Sequence, residues 1–206
     1  QAAFGVERLG WREALHALRQ GATRRGLPPL GHPDSFCNKV NEELKQHVFY
    51  SRCLSYSLPS EPSRGFRDLF RATERALYAS GGKPFPANRI GDRGAVGGQT
   101  IHGMRELSLL IEEAEETGIR IAFWPFDGLY LDDPSYDGAH VCVEIYPTLL
   151  RPADVKQNDE NDATASADYM FEREREGTLG EIMDLRALGA DERSLVQSEG
   201  WILGVR

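Results

Sequence analysis

The sequence predicts an α/β protein, a mixed sheet flanked by helices. Two short apolar runs, 119–124 and 140–145, have strand length and are bounded by Gly, Pro and Asp. Around them lie longer stretches whose apolar residues recur at spacings of three and four, the period of a helix with one buried face. The 206 residues favour one domain and can bury a sizeable core.

The elements follow in order. Residues 11–20 read as a helix, with Trp11, Leu15 and Leu18 on one stripe and Gly21 as its stop. Residues 26–33 form a turn-rich link. Asp34 is placed to cap a second helix reaching about Val48, with Phe36, Val40 and Leu44 inward. After a break at 57–62, Ser63 caps a helix running to Ser80. Phe66, Leu69, Phe70 and Leu77 bury one face of it, and Arg64, Arg67, Arg71 and Arg75 line another.

Residues 81–100 are expected to be a Gly/Pro-rich loop, long enough to suggest a functional role. A helix over 101–117 turns Met104, Leu107, Leu110 and Ile111 inward, and Gly118 ends it. The strand over 119–124 precedes an acidic connection, and the strand over 140–145 stops at Pro147. Asp159–Arg175 reads as a helix with an alternating-charge tail, and 179–188 as a shorter one. Trp201-Ile202-Leu203 is expected to dock on the core.

Composition narrows the function classes. Hydrophobic residues make up 40% and charged residues 27%, as in soluble globular proteins. The net charge of −8 argues against tight nonspecific duplex binding, although an acidic metal site adds negative charge that its cation neutralises. Arg24-Arg25 and the Arg64–Arg75 series are the clearest basic clusters. Cys37, Cys53 and Cys142 show no zinc spacing and read as free thiols of a reducing compartment. No apolar run reaches membrane-span length and no signal-peptide pattern opens the sequence, so a cytoplasmic location is expected, with no membrane partner.

The most informative chemistry lies in Val141-Cys142-Val143-Glu144-Ile145-Tyr146-Pro147. Strand alternation puts Cys142 and Glu144 on one face, and Pro147 ends the ladder. An acid at the end of an apolar strand must be hydrated, paired or metal-bound to stay charged. Asp159 and Asp162, three apart, share a helix face soon after, and Ala163, Ala165, Ser166 and Ala167 would let that helix approach a sheet closely. Such acids could hold Mg²⁺ or Mn²⁺, with water and substrate phosphate completing the shell. The plainer alternative is that acids at a helix start only answer the macrodipole.

Weaker candidates are the Gly91–Gly98 run, which lacks a P-loop ending, His102 and His140 as bases, and Trp124-Pro125-Phe126-Asp127-Gly128 as a base-stacking or core-plugging segment. Asp127, Asp132, Asp133 and Asp137 do not have the spacing of a calcium loop.

In order, Arg71-Ala72-Thr73-Glu74, Val143-Glu144-Ile145-Tyr146-Pro147, Asp162-Ala163 and Glu199-Gly200-Trp201-Ile202 make the chain from about residue 66 onward resemble domain-of-unknown-function family 429. That family is regarded as RNase H-like nucleases. The resemblance implies an RNase H-like fold and hydrolysis of phosphodiester bonds in nucleic acid through a carboxylate-bound divalent cation. It implies Glu144 and Asp162 as catalytic metal ligands, with Asp159 a further ligand on helical geometry. Arg71 would bind substrate phosphate and Glu74 would support catalysis. The plainer reading of Arg71 and Glu74 is an intrahelical ion pair.

RNase H-like enzymes also take an Asp from a first strand, and similar family members carry an Ile-Asp-x-Pro strand. Neither motif occurs here. The domain is therefore expected to be N-terminally incomplete, with those strands absent, lost or supplied by another subunit, as in a homo-oligomer. A noncatalytic binding or assembly module that keeps the fold is the alternative.

Overall fold

A computed structural model describes residues 11–13, 15–16, 33–45, 49, 70–90 and 96–205. The chain falls into two compact units, Gln1–Gly118 and Ile119–Arg206.

The first unit is helical among its described residues. Residues 11–13 and 15–16 are helical, with Leu15 buried. Helix α1 spans Pro33–Leu44, α2 spans Ala72–Ala79 and α3 spans Gly97–Thr117. Phe36, Cys37 and Val40 of α1 form a core cluster with Ile90 and Ile101, and Phe49 and Met104 pack against it. Asn41, fully buried, grips the backbone of Phe49. Its Nδ2 donates to the Phe49 carbonyl at 2.7 Å and its Oδ1 accepts the Phe49 N–H at 3.0 Å. Both ends of the buried amide are thereby satisfied. Asp34 lies inside the first turn of α1 rather than capping it. Helix α1 stops at Leu44 because Lys45 takes a positive φ of 49°.

Two expectations change here. Of the helix placed over 63–80, the described residues hold a helix over Ala72–Ala79, and residues 63–69 lie outside them. Arg71 is its extended N-cap, and Phe70 precedes the helix. The 81–100 loop is also shorter, because α3 starts at Gly97. A Cβ at Gly97 would lie 2.3 Å from the Arg89 carbonyl oxygen, so only glycine lets the helix start this close to the preceding backbone. Along α3, Ile101, Ser108 and Ala114 are buried, but Leu110 is 45% exposed. Nine positions beyond Ile101, Leu110 falls on the opposite side at about 3.6 residues per turn. Gly118 closes α3 with a φ of 72°.

The second unit contains the sheet. Strand β1, Ile121–Phe123, runs parallel to β2, His140–Cys142, in the register Ile121 to His140 and Phe123 to Cys142. Helices α4 (Asp159–Arg175), α5 (Leu179–Ile182) and α6 (Ala190–Glu199) follow. The described chain is thus α/β, rich in helix, with both strands shorter than the six residues expected of each. The reason lies at Trp124-Pro125. Trp124 N–H donates to the Cys142 carbonyl at 2.9 Å, but Pro125 has no N–H to continue the ladder. Two residues on, Glu144 instead forms a parallel bridge with Ile202.

Trp124 is 1% exposed, and its Nε1 donates to the Met183 carbonyl at 2.9 Å, so it plugs the core rather than offering a stacking surface. Met183, Leu185, Val196, Trp201, Ile202, Leu203 and Val205 are buried too. No residue of α4 is buried, and Ala163 and Ala167 are exposed, so its small residues do not mark a face pressed onto the sheet. What α4 does meet is the turn Pro147–Leu149 and helix α5. Residues 17–20, Arg24, Arg25, Cys53, the 57–62 break, Arg64, Arg67 and residues 91–95 lie outside the described residues. Among the described residues no helix is long and apolar enough to cross a membrane.

Truncating Trp124 to Ala removes a fully buried ring and its bond to Met183. A loss of about 3–5 kcal/mol is expected, read as a lower denaturation midpoint. Burial, then the charge of Asp34, raises the Cys37 thiol to about 12. At pH 8 only about one part in ten thousand is thiolate. Cys37 should resist iodoacetamide until denaturant is added, followed by mass spectrometry of the labelled peptides.

Candidate functional site

Glu144 sits where the sheet changes partner. Its carbonyl accepts the Leu203 N–H at 2.8 Å, and the Ile202 bridge fixes its backbone. Its side chain is exposed. Pro147 opens a 3₁₀ turn three residues later, and Arg151 N–H donates to the Pro147 carbonyl at 2.9 Å. The turn thereby places Arg151 as well as ending the strand.

Asp162 stands in the first turn of α4. Asn158 caps this helix, its side chain accepting the Asn161 N–H at 2.8 Å, which fixes the start seen in the sequence. Asp159, Glu160 and Asp162 all fall in that first turn, where the helix dipole favours acids. Asp159 is exposed. The Oδ1 of Asp162 accepts from Nη1 of Arg151. The Arg151 side chain is 10% exposed and that of Asp162 23%.

Sequence reasoning missed Arg151. Its only signal was a basic residue between a proline turn and an acidic helix start. The guanidinium is incompletely satisfied: one Nη meets Asp162, while the Nε is buried without a hydrogen-bond partner. Such a donor costs about 1–3 kcal/mol. A structural arginine–carboxylate pair is usually two-pronged, and this one is not.

Arg71 and Glu74 belong to the first unit, and the structure gives their motif a local meaning. Glu74 is the third residue of α2 and 2% exposed. Its Oε2 accepts the Arg71 N–H and its Oε1 accepts from Arg71 Nε, each at 2.9 Å. The four-residue motif is therefore a one-way helix start, in which both Glu74 carboxylate oxygens accept from Arg71 and the N3 acid satisfies the N-cap N–H. The same contact explains why α2 begins where it does.

The remaining candidates have local partners. Asp127 accepts the Phe123 N–H at 2.8 Å and Asp133 the Ser135 N–H at 3.0 Å, so both organise turns. Tyr136 donates to the Gly128 carbonyl at 2.5 Å. Burial, then Asp127 and Asp133, raises its phenol above the ordinary value. Burial likewise raises the Cys142 thiol, which makes it a poor nucleophile. His102 and His140 are exposed. In the first unit a cleft of about 280 Å³ is lined by Arg12, Glu13, His16, Ser108, Glu112 and Glu115 among others, mixed in charge, and no predicted site residue lines it.

For a hard divalent cation the donor chemistry is suitable, since Glu144 and Asp162 offer carboxylate oxygens, and Mg²⁺ commonly takes one or two of these beside water and phosphate. Among the described residues no group of three or more His, Cys, Asp or Glu side chains is disposed to hold a metal. Asp159 thus does not complete a three-acid cluster with the other two.

Because Glu74 closes the start of α2, Glu74→Ala should lower stability by about 1–3 kcal/mol in urea denaturation. Compared with known proteins, the chain matches no family model, no curated protein and no solved structure.

Proposed function

We propose that this protein is an RNase H-like, divalent-cation-dependent hydrolase of phosphodiester bonds in nucleic acid, related to family 429. The observation that carries the reading is the packing of helix α4, which bears Asp162, on the Pro147–Leu149 turn that follows Glu144. Pro147 is about 10 Å of extended chain beyond Glu144 at most. The two motif acids therefore belong to one local assembly, held by backbone pairing on one side and helix packing on the other. The order of the four motifs supports the same reading.

In this reading Glu144 and Asp162 hold Mg²⁺ or Mn²⁺. When bound, the cation would lower the pKa of a water and offset charge on the leaving oxygen. The protein's own part is positional. The Ile202 bridge holds the Glu144 backbone, and the Asn158 cap holds the first turn of α4. Asp159, on the same face, can hold an outer water. Arg71 and Glu74 lie in the other unit, where they close the start of α2. Free thiols such as buried Cys37 suit a reducing compartment, the cytoplasm.

A second reading is favoured by the Arg151–Asp162 pair. A carboxylate neutralised by a neighbouring arginine suits a noncatalytic module that binds nucleic acid or a further subunit.

Cleavage of labelled single- and double-stranded DNA and RNA with Mg²⁺ separates the two. The hydrolase reading expects metal-dependent cleavage that falls at least about 100-fold in Glu144→Gln and in Asp162→Asn, with both variants folded by circular dichroism. Cleavage unchanged in both would overturn it. Nucleic-acid binding without cleavage by the full-length protein would establish the second reading.

A further inference from the structure

We propose that Arg151 is a positioning residue that competes with the divalent cation for Asp162. It holds the carboxylate in place and neutralises it until the cation takes over. The inference rests on the metal reading of Asp162 and adds a residue that no motif assigns.

Three observations carry it. The guanidinium is nine-tenths buried and meets Asp162 through Nη1. Its Nε is buried with no acceptor. Its backbone is fixed by the Pro147 carbonyl, in the turn against which α4 packs. A one-pronged contact with a spare buried donor is a poor permanent tie, because the planar fork can satisfy two acceptors at once. It is well suited to hold a carboxylate that later changes partner.

A cation at Asp162 and a guanidinium at the same oxygen repel each other. Occupancy by one disfavours the other, and the coupling is reciprocal. Asp159 and Glu160 flank Asp162 in the first turn of α4. Without Arg151 three acids would crowd that turn, which raises its attraction for a cation. Arg151 therefore sets the cation concentration at which the site fills.

The test is Mn²⁺ binding to the full-length protein, followed by electron paramagnetic resonance with no substrate present. Arg151→Met and Arg151→Gln remove the charge, and each should bind Mn²⁺ about tenfold more tightly or better. Arg151→Lys keeps the charge and should stay near the wild-type affinity. Should Arg151→Met fail to fold, Arg151→Gln, which can still donate to Asp162, carries the comparison.

Wild-type affinity in the folded charge-removing variants, or weaker affinity, overturns the inference. If Asp162→Asn then still loses Mn²⁺, the metal reading of Asp162 stands by itself. Mn²⁺ binding unaffected by Asp162→Asn, or no binding by any of these proteins, overturns both.

Discussion

The second unit depends on one backbone junction. Past Cys142 the sheet has no partner from β1, because the chain turns at Trp124-Pro125. The Glu144 carbonyl is satisfied instead by Leu203 N–H, and Ile202 completes the parallel bridge. One such bond contributes only about 0.5–1.5 kcal/mol net. Its weight comes from what it brings along. Trp201, Ile202, Leu203 and Val205 are buried in the same short segment, and Trp201 Nε1 closes it by donating to the Val205 carbonyl. With the backbone of Glu144 tied down in this way, its carboxylate can remain exposed without loosening the strand.

From that junction a short path leads to Asp162. Pro147 opens the turn, its carbonyl receives Arg151 N–H, and the Arg151 side chain reaches Asp162. Helix α4 rests on the same turn yet buries none of its residues. Its position is therefore set at its first turn more than along its length. The Asn158 cap, three dipole-favoured acids and one arginine concentrate there, so packing and electrostatics share a few residues. The balance is local: acids attracted to the helix start also repel one another, and Arg151 offsets part of that repulsion.

Much of this was legible in the residues. The bounds of α4 could be read because Asn158 is a good cap and the charged tail keeps helical spacing. Gly118 ended α3 where a left-handed residue was needed. Other features were hidden for physical reasons. Helix α6 buries only Val196, so it has no apolar stripe to detect. A capping contact and a mid-helix ion pair share a spacing of three, so Arg71 and Glu74 looked like the latter until the backbone at Arg71 proved extended. Leu110 fits an apolar count but points away from Ile101. In the candidate site, Glu144 and Asp162 stood out as motif acids. Arg151 did not, because its partner is eleven residues away and no period links them.

The Glu144–Ile202 bridge also orders events during synthesis. The ribosome makes Ile202 well after Glu144, a delay of roughly 3–12 s at about 5–20 residues per second. During that interval the nascent strand end has no ladder partner, and its apolar neighbours lack Trp201 and Leu203.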